Sequence, residues 1–228
     1  NYVDGGAGSD TISSGAGSDT LVGGTDGSAD SISAGAGNDS ISAGGGNDSI
    51  DAGADNDVVN AGDGANYVDG GAGSDTISSG AGSDTLVGGT DSSADSISAG
   101  AGNDSISAGS GADVIDAGAD DDYVSAGDGA NTVVGGAGND TVVGGNGSDS
   151  ISAGEGRDSI NAGAGNDWVD GGAGNDTLSG EAGSDILLGG SGDDVVVYDS
   201  ADLRVFGGTG SDTLIVRIPI PEGMPSVQ

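Results

Sequence analysis

The chain contains no cysteine and no histidine among its 228 residues. Without cysteine it can form no disulfide framework, and without either residue it lacks the ligands of most zinc, copper and iron–sulfur sites. Carboxylates and backbone carbonyls remain, and these hard oxygen ligands suit calcium. No run of about 18 apolar residues is present, so the sequence predicts no membrane-spanning helix.

Basic and apolar residues are also scarce. Three Lys and Arg residues stand against 38 Asp and Glu, which gives a net charge of −35, and only 33% of the chain is hydrophobic. Such a chain is not expected to fold alone, because apolar burial cannot offset chain entropy and like charges repel. The folded state is therefore expected to contain cations that the sequence does not encode. Nucleic acid is excluded as a partner by the same negative charge.

Nearly the whole chain is a nine-residue repeat of the form Gly-Gly-x-Gly-x-Asp-x-apolar-x. We count 23 consecutive units from Gly5 to Ile215, of which residues 171–179 are a clean example. Position eight is apolar in every unit and position six is Asp in 20 of them. A disordered low-complexity tract has no reason to keep this register. The repeat predicts a calcium-binding parallel β-helix.

Each unit divides into a Gly-rich turn and a short strand whose central apolar side chain points inward. Two units make a coil of about 18 residues, and successive coils stack roughly 4.8 Å apart by parallel pairing. Units 23–33 and 88–98 each carry two extra residues, and they belong to a 65-residue internal duplication. Because the duplicated block contains an odd number of units, we expect the enlarged loops around Asp26 and Asp91 at opposite edges.

The position-six aspartates are the candidate metal ligands. Each is expected to face the residue about 18 positions later, in the next coil, where stacked carboxylates about 5 Å apart repel unless a cation lies between them. Roughly fifteen to twenty calcium ions would balance the charge. The candidates are Asp10, Asp19, Asp30, Asp39, Asp48, Asp57, Asp75, Asp84, Asp95, Asp104, Asp113, Asp122, Asp140, Asp149, Asp158, Asp167, Asp176, Asp185, Asp194 and Asp212.

In residues 1 to about 215 the units resemble the RTX (repeats-in-toxin) nonapeptide family. The resemblance implies an all-β, right-handed parallel β-roll with two nonapeptides per coil and calcium between adjacent turns. It also implies two sets of ligands for each ion. One turn supplies its carboxylate and the carbonyls of positions two and four. The turn one coil away supplies its own carboxylate and the carbonyls of positions one and three. Asp149 would thus face Asp167, with the carbonyls of Ala162 and Ala164 on the side of Asp167. Position-two and position-four candidates are Gly35, Gly37, Gly71, Gly73, Gly136, Gly138, Gly145, Gly147, Gly163, Gly165, Gly172 and Gly174.

Some units depart from the pattern. Asn66 and Asn131 replace the position-six Asp, and we expect weaker or empty sites there. Position four is Asp55 in one unit and Asp120 in another, which adds a carboxylate or disturbs the turn. Residues 198–206 depart most, with Leu203 at position six, and we expect no ion there. The two enlarged loops lengthen the spacing between facing position-six residues from 18 to 20.

The domain organisation follows from the repeat. We expect a roll over residues 1–215, with irregular last coils, an apolar cap and a linker over residues 198–228. The chain begins in the middle of a unit, so we interpret it as a segment of a longer protein. One aliphatic side chain per nine residues, worth about 1.5–3 kcal/mol, cannot offset about 1–2 kcal/mol of backbone entropy per residue. Calcium binding should therefore drive folding.

Two functions are compatible with these features. The first is a non-enzymatic, calcium-binding structural module of a large secreted bacterial surface protein, such as an adhesin, surface-layer protein or surface fibril. The second is the C-terminal export and folding module of a secreted protease, lipase or epimerase. The resemblance implies type I secretion and an extracellular location for either one. Calcium ions are the expected partners, together with copies of the chain in a fibre or sheet.

The residues argue against three other functions: phosphate binding, glycoside hydrolysis and ice binding. The Gly-rich turns lack the Lys of a phosphate-binding loop. Paired Asp residues suggest glycosidase chemistry, but every unit carries the same Asp and nothing singles out one pair. Ser and Thr beside many strands suggest an ice-binding array, which Asp51, Asp69 and Tyr123 interrupt.

Four aromatic residues occupy position seven, and two roles are open for them: they bind sugars or a neighbouring rod, or they cover the strand faces. These residues are Tyr2, Tyr67, Tyr123 and Trp168.

Overall fold

A computed structural model describes residues 1–217, and these residues form 24 short strands. The strands are brief because each nonapeptide allows only a few extended residues between successive Gly-rich turns. Their bounds are β1 (Tyr2–Gly6), β2 (Thr11–Ala16), β3 (Thr20–Gly24), β4 (Ser31–Ala36), β5 (Ser40–Ser42), β6 (Ser49–Ala54), β7 (Val58–Asn60), β8 (Tyr67–Ala72), β9 (Thr76–Ser78), β10 (Thr85–Gly89), β11 (Ser96–Ala101), β12 (Ser105–Ser107), β13 (Val114–Ala119), β14 (Tyr123–Asp128), β15 (Thr132–Ala137), β16 (Thr141–Asn146), β17 (Ser150–Glu155), β18 (Ser159–Ala164), β19 (Trp168–Ala173), β20 (Thr177–Ser179), β21 (Ile186–Ser191), β22 (Val195–Tyr198), β23 (Arg204–Thr209) and β24 (Thr213–Val216).

The strands alternate between two parallel sheets. Odd-numbered strands form a 12-stranded sheet, called here the first sheet, and even-numbered strands form the second sheet, also of 12 strands. The chain therefore crosses from one sheet to the other after every nonapeptide and completes a coil after every two. This arrangement confirms the all-β parallel β-roll that the repeat predicts. Within the described residues, no helix is long and apolar enough to cross a membrane.

Pairing between coils keeps equivalent residues in register. Trp168 pairs with Ser150 in the preceding coil and with Ile186 in the following one. The enlarged units lengthen their coils without a slip in the ladder, as the pairing of Thr85 with Ser105 shows. Register is kept because a slip of one residue would turn the buried side chains outward.

The two enlarged loops lie at opposite edges of the roll. We call the turns that lead from the first sheet to the second the first edge, and those that lead back the second edge. Asp26 lies between β3 and β4, which places its loop on the first edge. Asp91 lies between β10 and β11, on the second edge. The prediction made from the odd number of units is confirmed.

Two ranks of apolar side chains fill the space between the sheets. Position-eight residues are at most 5% exposed from Ile12 to Val196. From the sequence we expected only this rank of buried apolar side chains, and the interior contains more than that. Alanines at position one are also buried, at 0–1% exposure, because they follow position eight by two residues and most lie in the same strand, where alternation points both side chains inward; they are Ala34, Ala43, Ala52, Ala61, Ala99, Ala108, Ala117, Ala126, Ala153 and Ala162. The interior is nevertheless thin, with small side chains in the second rank.

The outer faces and the last coils are more open. The position-seven aromatics are exposed, from 37% for Trp168 to 68% for Tyr2. Strand pairing continues as far as β24, where the position-eight residue Leu214 is 49% exposed. The part of the proposed cap and linker that spans residues 218–228 lies outside the described residues.

Candidate metal centre

Position-six side chains stack along both edges of the roll, because every turn places this residue immediately before a strand. The alternation of the sheets sends successive units to opposite edges. The first edge carries Asp10, Asp30, Asp48, Asn66, Asp84, Asp104, Asp122, Asp140, Asp158, Asp176, Asp194 and Asp212. The second edge carries Asp19, Asp39, Asp57, Asp75, Asp95, Asp113, Asn131, Asp149, Asp167 and Asp185.

A hydrogen-bond ladder joins the members of each stack. The backbone N–H of Asp158 donates to Oδ1 of Asp176 at 2.8 Å, and Asp176 donates in the same way to Asp194 at 2.9 Å. The ladder also crosses the enlarged loops, where Asp75 donates to Oδ1 of Asp95 at 2.9 Å. The structure thus brings together the carboxylate pairs that the sequence predicts. Their role as ligands stays a prediction.

The second carboxylate oxygen, Oδ2, has no hydrogen-bond partner in most of these residues. From Asp19 to Asp194 the position-six side chains are only 0–4% exposed. A buried carboxylate oxygen without a partner is costly, and a bound cation removes that cost. The orphaned oxygens belong to Asp10, Asp19, Asp39, Asp48, Asp57, Asp75, Asp84, Asp104, Asp113, Asp122, Asp140, Asp149, Asp158, Asp167, Asp176, Asp185 and Asp194.

Backbone carbonyls of the next coil approach the orphaned oxygens. A Cβ atom placed on Gly171 would lie 2.7 Å from Oδ2 of Asp176 and 2.5 Å from the carbonyl oxygen of Gly189. Both oxygens therefore border one small space, and Gly189 occupies position one of its unit. Position-three carbonyls already take part in stacking, since Gly147 donates its N–H to the carbonyl of Ala164 at 2.6 Å. A carbonyl oxygen has a second lone pair, which leaves it able to bind an ion.

The glycines at positions two and four allow this close stacking. All twelve candidate glycines have φ between +95° and +153°, a region that other residues rarely adopt. Space is a second constraint. A Cβ on Gly145 would overlap the carbonyl oxygen of Gly127, and a Cβ on Gly147 would overlap that of Gly129. The turns therefore approach each other closely enough for one ion to contact two coils.

Burial raises the pKa of many stacked carboxyl groups. The pKa of Asp122 rises to about 7, chiefly through burial and further through the charges of Asp104, Asp140 and Asp120. The pKa of Asp158 rises to about 6, again through burial first and then through Asp176 and Asp140. Hydrogen bonds from the preceding coil oppose both shifts. A divalent cation between the coils would reverse them, because it favours the ionised form.

One residue of the ladder was missed in the sequence. Position six of the unit at residues 198–206 is Leu203, but its neighbour Asp202 turns inward instead. Oδ1 of Asp202 accepts the N–H of Asp185 at 3.3 Å. The two residues of this rung are 17 positions apart in the chain, whereas those of a regular rung are 18 apart. The pKa of Asp185 rises to about 7, through burial first and partly through the charge of Asp202. The Asp at position five was a visible signal, but the strict nine-residue count assigned it no role.

The two position-four aspartates keep the turn intact. Asp55 and Asp120 have φ of 75° and 77°, so they adopt the left-handed conformation that Gly has elsewhere. Asp tolerates this region better than most residues. Among the causes that raise the pKa of Asp57, the charge of Asp55 is the last, after burial and the charge of Asp39. Each turn therefore gains negative charge near its ladder residue.

Carboxylates meet in pairs rather than in larger clusters. Among residues 1–217, no group of three or more acidic, His or Cys side chains is placed to hold a metal ion by itself. Calcium takes about six to eight oxygen ligands, so carbonyls must supply the remainder. The turns meet this requirement, because Gly-rich backbone from two coils surrounds each pair. Fold and turn chemistry together define a parallel β-solenoid whose edges present oxygen ligands suited to hard divalent cations.

Comparison with protein families identifies this solenoid. The RTX calcium-binding nonapeptide repeat, a family unit of four copies, matches residues 1–27, 25–59, 60–92, 90–124, 125–160, 143–178 and 161–196. These matches cover most of the chain, which therefore belongs to the RTX calcium-binding repeat family. A search of curated proteins gave no match. The module binds calcium through its repeats, and the orphaned Asp oxygens with adjacent carbonyls fit that ion.

Proposed function

We propose that the chain is a calcium-folded, non-enzymatic structural module of a large secreted bacterial surface protein. The observation that carries this proposal is the pair of carboxylate stacks, with a buried and unpartnered Oδ2 in most turns. With a net charge of −35, the roll needs many divalent ions to be stable. Calcium then acts as a structural element in every coil and has no chemical step to perform.

The calcium concentration differs between the two sides of a bacterial envelope, and the proposed fold depends on that concentration. Sites of modest affinity are empty at submicromolar calcium and filled at millimolar calcium. The chain is therefore extended inside the cell, which suits export through a type I secretion channel, and it folds on reaching the medium. Metal-binding free energy becomes folding free energy, as in other metal-dependent domains with small cores.

The uniformity of the roll supports a structural role over a catalytic one. Nearly every turn repeats the same carboxylate and carbonyls, and a run of twelve coils makes a long, stiff element. An adhesin, a surface layer or a surface fibril would use it as a spacer or lattice unit. The competing role is the export and folding module of a secreted protease, lipase or epimerase. It requires the same calcium step and differs in the domain attached to the roll.

Calcium titration of the purified chain tests the common step. Far-UV circular dichroism and small-angle scattering in EGTA should give an extended, unordered chain, and millimolar calcium should restore a compact rod. Magnesium at the same concentration is the control, because its small octahedral shell fits these wide sites poorly. A compact, strand-rich chain after exhaustive EGTA dialysis at pH 7 or above would refute the proposal. Electron microscopy of the calcium form then separates the roles, since ordered fibres or sheets support the surface structure and dispersed single rods oppose it.

A further inference from the structure

Asn66 makes contacts in its turn that no Asp can make. Its Nδ2 donates to the carbonyl oxygens of Gly62 and Gly64, each at 3.1 Å. These carbonyls belong to positions two and four of the same unit. The side chain is 3% exposed and, unlike the aspartates around it, leaves no buried polar atom without a partner. The turn is therefore complete with protein atoms alone.

The same place in an Asp turn is occupied by an acceptor. Asp48 and Asp84, the neighbours of Asn66 on the first edge, each bury an Oδ2 without a partner. Asp and Asn have the same shape, so Oδ2 of an Asp at position 66 would face the two carbonyl oxygens that Nδ2 now contacts. Three acceptors that face each other need a cation between them, whereas an amide group supplies two N–H donors.

The ladder fixes which way the amide of Asn66 points. Its Oδ1 accepts the backbone N–H of Asp48 at 2.9 Å, and its own N–H donates to Oδ1 of Asp84 at 2.7 Å. Reversing the amide would set its NH2 group against the N–H of Asp48 and its single oxygen against the two carbonyl oxygens. Burial raises the pKa of Asp84, and hydrogen bonds from the Asn66 backbone and side chain oppose that rise.

We propose that the side-chain amide of Asn66 closes its turn in place of a calcium ion, so that the first edge contains a joint that needs no metal. This inference rests on the proposed calcium-dependent fold. Asn131 is the weaker counterpart on the second edge, where Nδ2 lies 3.5 Å from the carbonyl of Gly127. The two joints occupy equivalent positions in successive copies of the internal repeat. Each interrupts the row of ions on its own edge while the other row continues past it.

Crystals of the calcium-loaded full chain, measured for anomalous scattering from calcium, test the proposal. In the wild-type chain we expect peaks in the Asp turns and none within about 2.6 Å of the carbonyl oxygens of Gly62 and Gly64. The variant N66D should show a new peak there. Equilibrium dialysis with radioactive calcium should give one more ion per chain for N66D than for wild type.

The matched control is N56D, which adds the same charge at an exposed position-five residue whose Oδ1 accepts the N–H of Ser74 at 2.9 Å. This control should bind no additional ion in the crystal. An ion against Gly62 and Gly64 in the wild-type chain overturns the proposal, even if N66D fails to fold. A folded N66D without the new ion, or an equal gain in N56D, overturns it too. Absence of ions from the Asp turns as well would instead refute the calcium-dependent fold.

Discussion

The backbone N–H of Asp149 donates a hydrogen bond to Oδ1 of Asp167, one coil further along, at 2.9 Å. Oδ2 of the same Asp167 carboxylate is buried and has no partner. One carboxylate thus has two roles in the roll. Its first oxygen joins neighbouring coils without metal, and its second creates the demand for a cation. The two roles can be separated by substitution.

Replacing Asp167 by Asn or by Ala should have different effects. D167N keeps an oxygen for the N–H of Asp149, so the calcium form should stay folded with one ion fewer. D167A leaves that buried N–H without an acceptor, and should cost about 1–3 kcal/mol more than D167N. Urea unfolding in millimolar calcium measures the difference, and calcium dialysis measures the ion loss. Equal stability of the two variants would contradict the ladder's metal-independent role.

The ion-free roll should become less stable as pH rises from about 4 to 7. Burial raises the folded-state pKa of Asp122 and Asp185 to about 7, from an unfolded value of 3.8. Between these values the folded state binds more protons than the unfolded state, so stability decreases with pH. In buffer freed of calcium beforehand, strand signal in circular dichroism should be strongest near pH 4 and lost by pH 7.

Calcium affinity should change in the opposite direction over the same range. The ion binds ionised carboxylates, so protons compete with it below pH 7. The binding midpoint, which is the calcium concentration at half-saturation in equilibrium dialysis, should be higher at pH 5.5 than at pH 7.5, because protonated carboxyls of the folded roll compete with the ion. A midpoint that does not move between these pH values would show that the stacked carboxyls are not the ligands.

Adding a methyl group at a position-four glycine should be severely destabilising. Gly147 has φ of 130°, and its Cβ would overlap the carbonyl oxygen of Gly129 in the preceding coil. The φ angle alone costs about 1–3 kcal/mol for Ala, and the overlap must also push the coils apart. Thermal unfolding of G147A in calcium provides the measurement. The control G27A, in open space within an enlarged loop, should change stability by less than about 0.5 kcal/mol.

Truncation of a position-eight residue should lower the stability strongly in the middle of the roll and only slightly at its end. Leu178 is fully buried, so L178A should cost about 2–5 kcal/mol. Leu214 in the last coil is 49% exposed, and L214A should cost less than about 1 kcal/mol. Denaturant unfolding of both variants in saturating calcium tests the contrast. Similar losses for the two would indicate that the last coil is covered in solution.

Much of the fold could be predicted because the repeat is local. The nine-residue period places Gly73 in a turn and Val68 in the interior, and the parity of the units places Asp26 and Asp91 at opposite edges. Asp202 could not be found in this way. Its inward position depends on a turn that bypasses Leu203, and a count in steps of nine cannot register that change. Buried Ala at position one escaped notice because we expected a shorter strand, whereas strands such as β4 continue through position one, where alternation points the Cβ inward.

By itself the sequence determined the period of the coil, the charge that the fold must neutralise and the oxygen chemistry available to do so. These properties follow from composition and from spacing along the chain. Tertiary structure alone decided which oxygen of each Asp is satisfied by the ladder and which is left for an ion. It also decided that the amide of Asn66 points at two carbonyls. Such contacts join residues from different parts of the chain, and their direction is set only when the coils stack.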